Sequence, residues 1–233
     1  MIFGNSISTE HHIETETCYA CKHSWHFKVW DTINVTQNPE LKEMLRDESF
    51  MMRVCPYCGN SVFSRDCFTY VDMERRLVAR VGDWETPDYS WLKGQRYPES
   101  LYENYALRCI GFLYELKEKI AIIDAGLNDI AVAIVKYFLR YRMYPKEFYN
   151  SYHFIFVKRT FVGDESDRDE RLVFSRREKG FNQEVLFKIS MDYYDKAMDY
   201  VRNDPRFKDK GVLYTDEQWV KWILEGLSDY HHR

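Results

Sequence analysis

The sequence predicts an α+β protein, and three observations carry that prediction. Strand-prone runs, with polar and apolar residues alternating, recur through the first 81 residues. Apolar residues then repeat at spacings of three and four between positions 112 and 142, as amphipathic helices require. Beyond position 145, strand-like runs return and give way to two more helical stretches. With 233 residues and 45% hydrophobic composition, the chain can bury a sizeable core in one or two domains. Aromatic residues make up 17% of it, so a modest number of rings can fill that core.

Residues 1–14 are polar, carry His11 and His12, and are expected to fray. A first close pair, Cys18 and Cys21, leads into the β-prone run 25–30 and the alternating segment 31–36. Asn38-Pro39 opens a short helix over 40–46, with Asn38 as its N-cap and Pro39 suited to the first helical position. A strand at 51–54 delivers a second pair, Cys55 and Cys58. Residues 63–70 and 77–81 read as a hairpin turning near Asp72-Met-Glu74. A connector follows at 82–100, broken by Gly82, Pro87, Gly94 and Pro98.

A short strand is predicted at 105–110, then a helix over 112–124 that buries Leu113, Leu116, Ile120 and Ile123. Its other face, with Glu115, Lys117, Glu118 and Lys119, is expected to be solvated. Gly126 sits where a left-handed cap belongs, and Asn128 can cap the next helix, 129–142. The buried stripe of that helix is Ile130, Ile134, Tyr137, Phe138 and Tyr141. Residues 112–142 thus form a helical hairpin. Pro145 marks a boundary between a module of 1–145 and a C-terminal unit of 146–233. The latter should hold three antiparallel strands, at 153–162, 172–176 and 184–191, with an acidic solvated tip at 163–170. Two helices complete it, one over 192–203 and a last one starting at Thr215, with Gln218 completing a capping box. Trp219, Ile223 and Leu227 should face inward from that last helix.

The two cysteine pairs, Cys18-Tyr-Ala-Cys21 and Cys55-Pro-Tyr-Cys58, are the strongest chemical signal. Two residues between paired cysteines let one tight turn present both sulfurs, and Gly59 relieves crowding after the second pair. Four thiolates close a tetrahedral zinc shell, so Cys18, Cys21, Cys55 and Cys58 are the predicted ligands of a structural Zn2+. The 33 intervening residues can hold a strand, a helix and a returning strand, enough to bring the pairs together. Cys55-Pro-Tyr-Cys58 is also the active-site tetrapeptide of glutaredoxins, where the first Cys sits at a helix N-terminus that lowers its pKa. Here Gly59-Asn60-Ser61 and a β-rich run follow instead. Cys67 and Cys109 stand alone in apolar surroundings and should be buried as small hydrophobes. His23 lies close enough to the first pair to hydrogen-bond at its margin.

Cys18-x-x-Cys21, Val29-Trp-Asp-Thr-Ile-Asn-Val-Thr36, Asn38-Pro-Glu-Leu-Lys-Glu43, Cys55-Pro-Tyr-Cys-Gly59 and Tyr70-Val-Asp-Met-Glu74 together resemble the bacterial and archaeal CpXC domain. Glu115-Leu-Lys-Glu-Lys-Ile120 and Asp124-Ala-Gly-Leu-Asn-Asp129 continue the resemblance, which spans roughly residues 13–142. It implies a zinc-binding N-terminal module held by the four motif cysteines, and no established activity. Tyr19 and Lys22 stand where that family often has Pro and Gly, which could alter the first turn.

No Gly-rich phosphate loop, Gly-x-Ser-x-Gly elbow or His-Glu-x-x-His helix is present, so no catalytic residue is assigned. Asp31, Asn34 and Asp72 flank the cysteines and are expected to hydrogen-bond behind them or to serve turns rather than to form a catalytic cluster. The segment 137–152 interleaves Arg140, Arg142 and Lys146 with Tyr137, Phe138, Tyr141, Phe148, Tyr149 and Tyr152. Rings among cations can bind single-stranded nucleic acid, but helical spacing puts Tyr137, Phe138 and Tyr141 on a core face, with Arg140 and Arg142 on the solvated flank. The net charge of −4 offers no general pull toward nucleic acid or an anionic membrane. The first residues lack the basic start and apolar run of a signal peptide, and the apolar stretch 120–139 is broken by Asp124, Asn128, Asp129 and Lys136. A cytoplasmic protein is therefore expected, with no membrane partner. The favoured reading is a non-catalytic zinc-binding interaction or regulatory protein: a zinc-ribbon-like antiparallel β module, a helical hairpin and a C-terminal α+β unit that selects a protein partner. The alternatives are a zinc-ribbon nucleic-acid binder and a dithiol-disulfide oxidoreductase using Cys55 and Cys58.

Overall fold

The computed structural model describes residues 7–47, 49–64, 66–82, 104–144, 154–163, 169–177, 184–207 and 214–226. It has mixed α and β content, as the sequence predicts, and the chain divides into two compact units, Met1–Lys117 and Glu118–Arg233. That division falls inside a helix, upstream of the boundary at 145 read from the sequence. Pro87, Gly94, Pro98, Pro145, His153, Leu227 and most of the 163–170 tip lie outside the described residues.

The first unit is built on a five-stranded sheet in the order β1-β2-β5-β6-β7. Its strands are β1 (Glu10–Thr17), β2 (Ser24–Asn34), β5 (Phe68–Asp72), β6 (Leu77–Val81) and β7 (Ala106–Ile110). The β1–β2 and β5–β6 pairs are antiparallel, whereas β2–β5 and β6–β7 are parallel. A separate antiparallel ribbon joins β3 (Met52–Val54) to β4 (Ser61–Phe63). Helix α1 (Glu40–Asp47) begins where Asn38-Pro39 predicts and buries Leu41 and Leu45. Strand β5 is buried along its whole length, as a central strand must be when both faces are covered. Val71 and Val78 pack with Ile7 on one side of it.

Three readings need correction here. The N-terminal segment does not fray from residue 10 onward. Strand β1 pairs with β2 along its length, because Thr15, Thr17 and His12 bond across to His26, Ser24 and Asp31. The strand predicted over 63–70 is two strands, β4 and β5, in different sheets, with the break at Ser64–Cys67. Cys67 lies in that break and is exposed, its Sγ 3.1 Å from the Gly82 carbonyl, rather than buried. Cys109 is buried in β7, as predicted.

Helix α2 (Leu113–Asp124) starts where Glu115 Oε2 accepts the Gly111 and Phe112 amides, at 3.0 and 3.2 Å. It ends at Gly126, whose φ of +70° makes the left-handed cap the sequence predicts. Ile122 rather than Ile123 is buried on it, and Glu118 is only 9% exposed, so its polar face is not wholly solvated. Asn128 Oδ1 accepts the Ala131 amide at 3.0 Å and caps α3 (Asp129–Phe138), whose last turn widens into a π-helical turn over Leu139–Met143.

The second unit wraps α3. Its residues from Asp129 to Tyr137 are all buried, which suits a helix with Ala and branched aliphatics on every side. Helix α3 packs against α4 (Met191–Asn203) and α5 (Glu217–Glu225). A three-stranded antiparallel sheet in the order β10-β9-β8 adds Phe156, Leu172, Phe174 and Ile189 to the same core. Its strands are β8 (Ile155–Val162), β9 (Asp169–Arg177) and β10 (Glu184–Ser190). Asp216, not Thr215, caps α5, by accepting the Trp219 amide at 2.7 Å. The Thr215 hydroxyl is committed elsewhere, donating to Asp129 Oδ2 at 2.9 Å.

Candidate metal centre

Each cysteine pair is the turn of a hairpin. Cys18 and Cys21 lie between β1 and β2, and Cys55 and Cys58 lie between β3 and β4. The intervening chain is β2, α1, a short 3-10 turn at Ser49–Met51 and β3, the excursion the sequence predicts.

The two turns have one backbone pattern. The amide of the first Cys donates to the carbonyl five residues on: Cys18 to His23 at 2.9 Å, Cys55 to Asn60 at 2.8 Å. The amide four residues on returns to the first carbonyl, Lys22 to Cys18 and Gly59 to Cys55, both at 2.9 Å. That fourth residue is left-handed in both turns, with φ of +62° at Lys22 and +73° at Gly59. The Lys in the first turn therefore leaves its geometry unchanged and carries the strain that a side chain meets there.

These turns bring the four sulfurs within 4.8 Å of one another. Cys18 Sγ lies 3.6 Å from Cys58 Sγ, and Cys21 Sγ lies 3.6 Å from Cys55 Sγ. Four sulfurs at ~2.3 Å from a central ion would lie ~3.8 Å apart at tetrahedral angles. The observed spacing fits that shell and is far too long for a disulfide, near ~2.05 Å. All four are free thiols. Cys18 and Cys55 are buried, while Cys58 is exposed, so the cluster sits at the surface.

Backbone amides point at the sulfurs. The Cys21 amide is the main reason the Cys18 thiol is lowered to about 7, and the Ala20 amide adds to it. The His23 and Asn60 amides bond to Cys21 and Cys58, the second sulfur of each pair, and each is the largest single influence there, favouring thiolate. Burial and neighbouring sulfurs nevertheless raise Cys21 and push Cys58 up to about 12. Adjacent thiolates repel one another; keeping some of them protonated relieves that repulsion, and so would a cation among them.

Two further contacts join the turns, and sequence reasoning missed both. Tyr19 Oη donates to Asn60 Oδ1 at 2.9 Å, and the His23 ring stacks on Tyr57 with centroids 4.6 Å apart. The fifth residue of each turn thus touches a tyrosine of the other. The matched spacing of His23 and Asn60 was the available signal. His23 acts here through its ring face and its backbone.

Of the other polar residues flanking the cysteines, Asn34 and Asp72 serve turns, as predicted, whereas Asp31 lies within β2. Asn34 Oδ1 accepts the Thr36 and Gln37 amides, and Asp72 Oδ1 accepts the Arg75 amide. Asp31 pairs with His12 on the hairpin surface. In the aromatic segment, Tyr137 is buried, and Phe138 and Tyr141 pack against the same core. Arg140 bonds to Glu217 Oε1 at 2.9 Å, so it is not on the solvated flank expected of it. Lys146, Phe148, Tyr149 and Tyr152 lie outside the described residues. Among the described residues, no helix is long and apolar enough to cross a membrane.

The model of one protein family, described as CpXC protein, matches residues 17–136. No curated protein and no solved structure matches the chain.

Proposed function

Since the chain belongs to the CpXC family, we propose that Cys18, Cys21, Cys55 and Cys58 hold one zinc ion in a zinc-ribbon-like structural centre of a non-catalytic interaction protein. The convergence of four sulfurs from two matched turns carries this reading. Soft thiolate donors in a tetrahedral set suit zinc. With four protein ligands the ion has no open position for water or substrate, so its contribution is to folding. That contribution can reach ~10 kcal/mol, comparable to a domain's net stability. A reducing compartment such as the cytoplasm would keep the thiols available. The dithiol reading loses support because a turn and β4, not a helix N-terminus, follow Cys55.

The test is elemental analysis of protein purified without chelators or metal resin. One zinc per chain is expected, falling to none in Cys55→Ser and accompanied by unfolding of the first unit in circular dichroism. Metal-free wild-type protein with intact structure would overturn the reading.

A further inference from the structure

A cleft of about 510 Å³ opens beside the cysteine cluster, within the first unit. One wall is β2. Trp25 and Phe27 alternate with His26 and Lys28 along that strand, so they project from opposite faces. All four line the cleft, which therefore runs along the edge of the strand rather than over a face. Among the described residues that edge is open: β1 pairs with β2 from Ser24 onward, whereas β5 joins only at Thr32–Asn34. The opposite wall is β3, whose successive residues Met52, Arg53 and Val54 also all face the cleft. Among the described residues, β3 pairs with β4 alone. Among the described residues, the cleft thus lies between two strand edges whose outward backbone groups pair with no other strand.

The lining sets the chemistry of an occupant. Trp30, Phe50 and Phe68 form a chain of ring contacts there, with centroids 6.3 and 5.1 Å apart. Met52 and Val54 are 41% and 54% exposed. Arg53 stacks on Phe27 at 4.0 Å, but its charge is taken by Asp66 at 2.5 Å and Glu16 at 3.4 Å. Lys28 lies over Trp30 at 4.7 Å and, among the described residues, has no carboxylate partner. A single uncommitted lysine does not track a phosphate chain, which needs several cations. It does suit one carboxylate.

Resting on the reading of this chain as an interaction protein, we infer that the cleft takes an extended peptide segment of a partner protein, hydrogen-bonded as an added strand, apolar at alternate positions and carrying a carboxylate opposite Lys28. Strand addition supplies affinity through main-chain bonds, and the aromatic lining supplies selectivity through alternate side chains.

The probe is a displayed library of random twelve-residue peptides, selected against full-length zinc-loaded protein. Selected peptides should alternate apolar residues, carry Asp or Glu, and slow amide hydrogen exchange within residues 24–31 and 52–54. Lys28→Glu should weaken them about tenfold, and replacing the peptide's acidic residue by Lys should recover most of that loss. Zinc content and circular dichroism of Lys28→Glu should match wild type. Exchange protection confined to β8–β10, or full affinity in Lys28→Glu, would overturn the cleft while leaving the interaction reading standing. Failure to select any peptide would overturn both. Competition by oligothymidylate would replace the peptide with nucleic acid, and concentration-dependent dimerisation with the same protected amides would replace it with a second copy.

Discussion

Lys136 Nζ donates to both carboxylate oxygens of Glu118, at 2.9 and 2.8 Å, although the two residues are only 7% and 9% exposed. Burial, the largest influence on Lys136, favours its neutral form. Glu118 and Glu217 together outweigh it and raise the ammonium above its ordinary value. Glu118 Oε1 also accepts the Phe156 amide at 2.7 Å, so the pair ties α2, α3 and the start of β8 together. Removing one partner strands the other charge in a dry site. Lys136→Met should therefore destabilise the second unit by roughly 3–5 kcal/mol, measured by urea denaturation. Unchanged stability would mean that the pair is dispensable.

The six cysteines should separate into two groups. Serine at Cys18, Cys21, Cys55 or Cys58 should abolish metal retention, because three thiolates and a hydroxyl bind far more weakly. Serine at Cys67 or Cys109 should leave zinc stoichiometry at wild type, since neither belongs to the cluster. Elemental analysis of the six variants decides between this pattern and one in which all behave alike.

Lys22 holds a left-handed conformation that its counterpart Gly59 holds without a side chain. Lys22→Gly should stabilise the first turn by up to ~1 kcal/mol, partly offset by the greater freedom of glycine when unfolded. The readout is a higher metal-loaded melting temperature. The reverse change, Gly59→Ala, meets no atom within 4 Å and should lose about the same amount through φ alone.

His12 lies between Asp31 at 2.9 Å and Glu14 at 3.1 Å on the β1–β2 hairpin. The hydrogen bond to Asp31, then that to Glu14, raises its pKa above 6.5. A raised folded value means that the contribution is fully present below pH 6.5 and fades as pH climbs through the folded pKa. Nuclear magnetic resonance titration should show this shift in wild type and a smaller one in Asp31→Asn.

Local chemistry made much of the fold legible. Paired cysteines, Gly126 and Asn128 act within a few residues of themselves, and each appears in its predicted place apart from metal binding itself; Asn38-Pro39 precedes the predicted helix, with the Asn38 side chain donating to Glu40 Oε1 rather than capping it. What escaped depended on distant partners. Polar β1 has no apolar stripe, and its order comes from β2. Glu118 reads as a solvated helix residue until Lys136, eighteen positions on, is placed beside it. Thr215 lost its capping role to Asp216 because Asp129 claims its hydroxyl. The cysteine spacing predicted convergence of the pairs, but Tyr19 and Tyr57, which lock the two turns together, sit at unmatched positions within them, and only their partners Asn60 and His23 share a spacing.

Cys21 and Cys55 sit at the two ends of a loop that contains β2, α1 and β3. The entropy of drawing such ends together grows only with the logarithm of the span, by ~0.6 kcal/mol for each doubling. Relatives could therefore accept insertions near Asp47–Ser49 with little penalty to the clasp. Lengthening either four-residue turn by one position would misplace a sulfur outright.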